Sequence, residues 1–245
     1  MTRINHSELE ILPPVDAYDA FAGHYRSYAE RRRHYLEAVN RIVISRARHV
    51  ESLLDVGAGD GSRALEIAEC AGISRVVLLE PSAGMRSLRA VGVELWPFSI
   101  QQIPDTASSF EIITCLWNVL GHVQGSEARL DALVRLRRIL APGGKLFLDV
   151  SHRYNASAYG WCKTAVRLLH DSLLSSQTSG DVIVSWNGDG KVIRTTGHVF
   201  THTEMKKLFL AADLKPVTRW VIDYETGAGH RLPFRGHFLY QLTSE

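Results

Sequence analysis

The chain has few cysteines, no apolar run of membrane-spanning length and no long run of one charge. Its three cysteines, Cys70, Cys115 and Cys162, are scattered and have neither a paired pattern nor the spacing of metal ligands. We therefore expect reduced thiols and no metal site. The chain carries 28 Lys and Arg against 26 Asp and Glu, a formal net charge of +2, so it offers no extended basic region for nucleic acid. No stretch is long and apolar enough to predict a membrane span.

The N-terminus lacks the cationic and apolar segments of a signal peptide, so we expect a cytoplasmic protein. Its 245 residues are enough for one sizeable α/β domain. From Asp16 to about Arg46 the pattern is helical, with aromatic residues recurring every three or four positions. We expect residues 1–48 to form an N-terminal helical cap on a main domain of residues 49–245.

The stretch 52–68 predicts a strand, a glycine-rich turn and a helix. An apolar run around Leu54 is typical of a buried parallel strand. Gly57, Gly59 and Gly61 follow at every second position, and the next residues have helical spacing. Glycine allows a sharp turn and lets a ligand approach the backbone closely, and a helix N-terminus presents free N–H groups. This pattern predicts a nucleotide-type cradle at the carboxyl end of the first strand.

Two acidic residues narrow the kind of ligand that this cradle takes. Asp55 stands just before the first glycine, where its carboxylate would repel a pyrophosphate and attract a cation. Glu80 ends the second predicted strand, where an acidic side chain can accept both hydroxyls of a ribose. Ser62 occupies the position of the third glycine in the dinucleotide pattern. A nucleotide-binding oxidoreductase is therefore the weaker alternative.

Asp55, the three glycines and Glu80 together resemble the first motif, (D/E)-x-G-x-G-x-G, and the second-strand acid of the class I S-adenosylmethionine-dependent methyltransferases. The resemblance covers roughly residues 50 to 150. It implies S-adenosyl-L-methionine as cofactor and a Rossmann-like α/β fold, with a seven-stranded, mostly parallel sheet in the order 3-2-1-4-5-7-6 and helices on both faces. The cofactor-binding residues that it implies are Asp55, Gly57, Ala58, Gly59, Glu80, Pro81, Ser99, Ile100 and Trp117. Ser99 stands where family members usually have an Asp that contacts adenine.

A β-hairpin signal follows the predicted fifth strand. Two strand-like runs, 181–186 and 191–200, flank Asn187-Gly-Asp-Gly190, and we expect a lid inserted at residues 156–200. In many small-molecule methyltransferases an N-terminal helical segment folds over the cofactor. Tyr25 and Arg33 are the candidates for that role here, although an aromatic stripe such as the one that contains Tyr25 is also typical of a core.

Polar clusters follow the fourth and fifth predicted strands, and we expect both to face the pocket. Asn118 and His122 resemble the Gly-Asn-Ser-Phe-x-His stretch of the glycine N-methyltransferase group, and His152-Arg153 resembles its Asp-His-Arg-Asn-Tyr stretch. In that group the asparagine and the arginine bind the carboxylate of the acceptor. We carry over only Asn118 and Arg153, because Trp117 and Ser151 replace the residues that the group has beside them.

Methyl transfer is an in-line displacement in which the enzyme positions the acceptor, and an amine acceptor must also lose a proton. The candidate catalytic residues are His122, His152 and Tyr154, and the candidate substrate-binding residues are Asn118, Arg153, Tyr25 and Arg235. Each histidine also fits a structural role, and Arg153 also fits a surface or lid ion pair. Arg231 and Arg235 are candidates for a second contact to an anion.

The chain lacks the Asn/Asp-Pro-Pro-Tyr/Phe motif of nucleic-acid base methyltransferases and the acidic triplet of metal-dependent catechol enzymes. The expected function is therefore methyl transfer to a small-molecule acceptor, an amine of an amino-acid-like or natural-product intermediate. O-methylation, a non-methylating use of the same cofactor and a binding-only relative remain open. We expect neither nucleic acid nor membrane as partner, and we leave open whether the chain forms a homo-oligomer.

Overall fold

The computed structural model describes residues 10–88, 92–174, 176, 178–188 and 191–244. None of the helices in these ranges is long and apolar enough to cross a membrane. In chain order the elements are β1 (Ile11–Leu12), α1 (Pro14–Arg31), α2 (Arg33–Arg46), β2 (Ser52–Val56), α3 (Ser62–Ala71), β3 (Arg75–Leu79), α4 (Ala83–Ser87), β4 (Glu94–Trp96), β5 (Phe110–Cys115), α5 (Ser126–Arg138), β6 (Leu140–Val150), α6 (Ala156–Tyr159), α7 (Trp161–Leu174), β7 (Asp181–Gly188), β8 (Lys191–His198), α8 (His202–Ala211), β9 (Lys215–Ile222), β10 (Gly229–His230) and β11 (His237–Thr243).

The central sheet has eight strands in the order β10-β9-β11-β6-β5-β2-β3-β4. From β4 to β6 the strands run parallel, and β11, β9 and β10 continue the sheet in antiparallel pairs. The expected count of seven strands is wrong, because the two-residue strand β10 adds to the edge beside β9. The parallel part brings the carboxyl ends of β2, β3 and β5 to one edge, which is where open α/β sheets bind ligands.

Helices cover both faces of this sheet, which explains the nearly continuous apolar runs of its inner strands. Leu53 and Ile112 face a cluster with α2 and α3, whereas Leu54 and Ile113 face a cluster with α5 and α8. All four side chains are fully buried. Successive side chains of β2 and β5 therefore pack alternately into the two clusters, one on each face of the sheet. This packing on both faces fixes the positions of the strand ends.

A second, three-stranded sheet has the order β1-β8-β7. β7 and β8 form the expected hairpin, and residues 189 and 190 of its turn lie outside the described residues. β1 adds to β8 in parallel, and Trp186 of β7 stacks on Phe21 of α1 with ring centroids 4.8 Å apart. The hairpin is thus packed against the N-terminal segment rather than projecting alone.

The long N-terminal helix expected from residue 16 to about 46 is two helices, α1 and α2. Arg32 interrupts them with φ −110° and ψ 11°, and its N–H donates to backbone carbonyls of the preceding turn. α1 packs toward the hairpin and α4, whereas α2 packs on α3. The break lets the N-terminal segment contact both the sheet face and the ligand edge.

Candidate active site

A cavity of about 350 Å³ opens at the carboxyl ends of β2, β3 and β5, within the range of roughly 300–1,000 Å³ typical of small-molecule sites. The glycine turn, the end of β3, the segment after β5 and one face of α1 form its walls. The cavity brings together eight of the nine expected cofactor residues: Gly57, Ala58, Gly59, Glu80, Pro81, Ser99, Ile100 and Trp117. It also contains His122 and Tyr25 of the expected acceptor residues.

The glycine turn is held open by backbone geometry that favours glycine. Gly57 and Gly59 have φ of 67° and 60°, in the left-handed region that other residues rarely adopt. The N–H groups of Gly57 and Ala58 donate to Leu79 O at 2.8 and 3.1 Å, which fixes the turn to the end of β3. A Cβ on Gly57 would lie 2.5 Å from a methyl carbon of Val119. The absence of a side chain at position 57 therefore lets Val119 pack directly against the turn.

Glu80 lies at the centre of the cavity wall and is tied to the turn. Its Oε2 accepts from the N–H of Gly59 at 2.8 Å, and its Oε1 accepts from the N–H of Ser82 at 2.9 Å. Burial raises the pKa of Glu80 to about 7, against the lowering effect of these two hydrogen bonds. The side chain is thus about half protonated near neutral pH. In its ionised form the carboxylate can accept hydrogen bonds from hydroxyl groups or from cationic donors.

Two further carboxylates lie behind the wall. Asp55 is 2% exposed and accepts from the hydroxyl of Thr114 at 2.7 Å, so it does not line the cavity as expected for a cofactor contact. Asp55 belongs to β2, and its side chain is buried beneath the glycine turn. Asp149 of β6 accepts from the N–H of Trp117 at 3.0 Å, and burial raises its pKa to about 6. Sequence reasoning missed Asp149, although a lone acid within an apolar strand was a visible signal.

Tyr18 and His122 form a hydrogen-bonded pair that lines the cavity. The Nδ1 of His122 is 3.2 Å from the carbonyl oxygen of Thr196, which can only accept, so this nitrogen carries the proton. The Nε2 therefore accepts from the hydroxyl of Tyr18 at 3.1 Å. Burial lowers the pKa of His122 and raises that of Tyr18, so both side chains are neutral at neutral pH. The pair joins α1, β8 and the segment after β5 across the cavity.

Aromatic rings close the side of the cavity nearest α1. Tyr25 lies over the glycine turn, and its ring is 5.7 Å from that of Trp117. Trp117 stacks on Tyr28 at 5.6 Å and donates from Nε1 to the hydroxyl of Tyr224 at 2.9 Å. These contacts fix a rigid apolar wall, which lowers the local dielectric and strengthens electrostatic contacts in the cavity.

Asn118 is a bridging residue and does not line the cavity. Its Oδ1 accepts from the N–H of Ser151 at 2.9 Å, and its Nδ2 donates to the carbonyl of His198 at 3.2 Å. It therefore joins the end of β6 to β8 and has both ends of its amide in use. The expected role in acceptor binding does not match this location.

The residues expected after the fifth parallel strand also lie away from the cavity. Arg153 makes a two-point contact with Asp171 of α7, with both N–O distances at 2.5 Å, and the hydroxyl of Tyr154 donates to the same carboxylate at 2.8 Å. His152 packs on Phe238 with ring centroids 4.1 Å apart, and burial lowers its pKa to about 4. Arg153 is thus part of an ion pair with the lid rather than a substrate ligand, because α7 folds back over the end of β6.

Arg33, Arg231 and Arg235 are likewise outside the cavity. Arg33 is 58% exposed and pairs with Glu30 at 3.7 Å. Arg231 and Arg235 are exposed, and Arg235 lies in a 3-10 turn before β11. Arg33 therefore does not close the cavity as expected for the N-terminal segment, and the candidate anion contacts Arg231 and Arg235 do not converge on the site.

Sequence reasoning missed Arg63, which lines the cavity from the first turn of α3. Its Nη1 is buried and has no hydrogen-bond partner among the described residues. A basic residue directly after the glycine turn was the available signal. In the same described part of the chain, no group of three or more His, Cys, Asp or Glu side chains is arranged to hold a metal ion.

Comparison with known proteins agrees with this arrangement. Residues 25–219 match the family model described as a methyltransferase domain. The chain belongs to the class I S-adenosylmethionine-dependent methyltransferases. The cofactor of this methyltransferase is therefore S-adenosylmethionine, and the oxidoreductase alternative falls away. No curated protein sequence matches the chain at a significant level.

Solved structures of low identity share the fold of this methyltransferase. An S-adenosylmethionine-dependent methyltransferase from Clostridium acetobutylicum aligns with TM-score 0.64 and 12% identity over 92% of this chain and 98% of the other. The sugar N-methyltransferase KedS8 from Streptoalloteichus sp aligns with TM-score 0.60 and 17% identity over 96% and 95%. CalS10, an amino pentose methyltransferase from Micromonospora echinaspora, aligns with TM-score 0.56 and 18% identity over 91% and 96%.

The site of this methyltransferase fits the cofactor on three points of its own chemistry. Gly57 and Gly59 line the cavity with backbone alone, and glycine lets a ligand approach the backbone closely. Asp55, Glu80 and Asp149 are buried acids that suit a sulfonium cation, since each has a pKa raised by burial that a nearby positive charge would lower. The cavity is lined mainly by apolar and aromatic side chains, and only a few polar groups point into it, as is typical of small-molecule sites.

Proposed function

We propose that this methyltransferase transfers the methyl group of S-adenosylmethionine to the nitrogen of a small amine that carries no carboxylate. The observation that carries this proposal is the neutral Tyr18–His122 pair, which lines the same cavity as the glycine turn and Glu80. Glu80 would accept from the ribose hydroxyls, and Ser99 and Ile100 would lie at the adenine end. Asp55 would act from behind the turn by its charge rather than by contact.

The cofactor supplies an electrophilic methyl group on a sulfonium, and the chain's own residues have three tasks. Tyr25 and Trp117 would exclude water from the cavity and help to position the acceptor nitrogen. The proton that the amine loses when its nitrogen takes up the methyl group would pass to the hydroxyl of Tyr18. The Tyr18 proton passes in turn to Nε2 of His122, whose Nδ1–H donates to Thr196.

The charge of the cavity argues against the amino-acid-like acceptor that the sequence predicts. Arg63 is the only Lys or Arg among the described residues that line the cavity, and it lies at the glycine turn. Arg153, the expected carboxylate ligand, has its guanidinium paired with Asp171. A carboxylate on the acceptor would therefore be buried without a cation to pair with, at a high cost. An uncharged, hydroxylated amine fits better.

Two of the solved structures of the same fold support this acceptor class. One is described as a sugar N-methyltransferase and the other as an amino pentose methyltransferase. An amino sugar presents an amine without an anionic group, which agrees with the lining near Tyr18, His122 and Gln124. We therefore propose an amino-sugar-like amine as the acceptor.

The test is mass spectrometry of products formed from S-adenosylmethionine and a panel of amino sugars, α-amino acids and phenols. A methyl group located by fragmentation on the nitrogen of an amino sugar is the expected result. Methylation of a hydroxyl oxygen would contradict the proposed acceptor atom. Preferred methylation of the amino acids would contradict the inference drawn from the missing cation.

A further inference from the structure

Arg63 has an unusual position for an arginine beside buried acids. It is the second residue of α3, in the first helical turn after the glycine turn, and lines the cavity. Its Nη1 is buried and has no hydrogen-bond partner among the described residues. A buried charged donor without an acceptor is destabilising. Such a group is retained more readily when a ligand completes its hydrogen bonds.

Arg63 acts by its charge on the buried acids Asp55 and Asp149, but within the described residues neither a hydrogen bond nor an ion pair joins it to them. Asp60 accepts from Arg26 at 2.9 Å and from the hydroxyl of Ser62 at 2.6 Å. The remaining neighbouring carboxylates accept from Thr114, from the backbone of the glycine turn and from the backbone of Trp117. The structure has no ion pair of Arg63 within the described residues. Its free N–H is therefore available to a ligand.

A second feature at the same place also favours an anion. α3 has ten residues and begins after Gly61, and of its first N–H groups that of Ser62 donates to Asp60 Oδ1 at 3.2 Å. The N-terminus of a helix carries a partial positive charge, which a negative group stabilises. Arg63 is thus the main attraction for an anion on the glycine-turn side of the cavity, because Asp60 already accepts from the N–H of Ser62 at the helix end.

We propose that Arg63 binds the carboxylate of the cofactor. S-adenosylmethionine carries one carboxylate, on its amino-acid portion, and the planar guanidinium suits carboxylate geometry. This inference rests on the family's cofactor and not on the identity of the acceptor.

The electrostatics places Arg63 at the cofactor end of the cavity rather than at the acceptor end. Its charge opposes the effect of burial on the pKa of Asp55 and of Tyr25, both of which adjoin the glycine turn. Arg63 is not among the charges that shift the pKa of Tyr18 or of His122. Arg63 therefore acts on the glycine-turn part of the cavity rather than on the pair that would hold the acceptor.

Calorimetric titration with four ligands tests the assignment without turnover. S-adenosylmethionine and S-adenosylhomocysteine carry the carboxylate, whereas decarboxylated S-adenosylmethionine and 5′-methylthioadenosine lack it. We expect Arg63→Gln to weaken the first two by about 10- to 100-fold, the range for a charge-assisted hydrogen bond, and to leave the other two nearly unchanged. Arg26→Gln is the matched control, because it removes an arginine beside the same turn that does not line the cavity. It should not discriminate between the two pairs of ligands.

Equal weakening of all four ligands, or unchanged binding of the carboxylates, would overturn the assignment. Arg63→Met, which keeps the apolar stem and lacks donors, provides the same comparison if the glutamine variant does not fold, as judged by circular dichroism. Failure of the unmodified protein to bind any of the four ligands would contradict the cofactor itself, a result distinguishable from a defect at Arg63 alone.

Discussion

Binding of S-adenosylmethionine should release protons, and Glu80 should be their main source. The pKa of Glu80 is raised by burial from 4.5 to about 7, a difference of about 3 kcal/mol between its two protonation states. Near pH 7 about half of the free protein therefore carries this proton. Ribose hydroxyls donate to the ionised carboxylate and so lower its pKa. The expected release attributable to Glu80 is roughly half a proton at pH 7, falling toward zero near pH 9.

The assay is calorimetry of cofactor binding at one pH in buffers of different ionisation enthalpy. The dependence of the observed enthalpy on the buffer gives the number of protons released. Glu80→Gln keeps the size and polarity of the side chain but cannot titrate, so the difference between the two proteins isolates Glu80 from Asp149. Proton uptake, or the same release in both proteins, would refute the reasoning from burial and hydrogen bonding.

Three further predictions concern the turn, the neutral pair and the ion pair. Gly57→Ala should abolish measurable cofactor binding in calorimetry, since its Cβ has no room, whereas Gly72→Ala at the end of α3 has open space and should reduce only stability. Tyr18→Phe and His122→Asn should each lower kcat by about 100-fold with the cofactor Kd unchanged; equal loss of cofactor affinity would contradict the proton path. Arg153→Gln should lower the free energy of unfolding in urea by about 3 kcal/mol, because Asp171 loses its guanidinium partner and keeps the hydroxyl of Tyr154, while the acceptor KM stays constant; a raised KM would restore the predicted substrate role.

The sequence was sufficient to predict the parts of the site that depend on local pattern. Gly57, Gly59 and Glu80 lie at the ends of two consecutive parallel strands, and these strand ends must meet at one edge of a parallel sheet. The cavity accordingly contains almost the whole expected cofactor set. These strand ends can be predicted from short stretches of sequence, because hydrophobic alternation and the positions of glycine are local patterns.

The acceptor residues depend on contacts between distant parts of the chain, which no short motif encodes. Tyr18 is 104 residues from its partner His122, and the pairing exists only because the break after α1 turns that helix toward the hairpin. Arg153 follows β6 as predicted, but α7 returns to it and supplies Asp171 as its partner. The short resemblance to the glycine N-methyltransferase motif thus located Arg153 after the correct strand, but it did not determine the direction of its side chain.

The proposed reaction is methyl transfer to the nitrogen of an amine that carries no carboxylate. A matched pair of acceptors separates this reaction from its alternatives: an amino sugar and the same sugar oxidised to a carboxylate at its terminal carbon. The measurement is kcat/KM for each, with the product's methylated atom identified by mass spectrometry. We predict N-methylation with kcat/KM at least about 10-fold higher for the uncharged sugar, because the cavity offers its carboxylate counterpart no cation. Equal or higher kcat/KM for the carboxylate, or methylation of oxygen, would contradict the account.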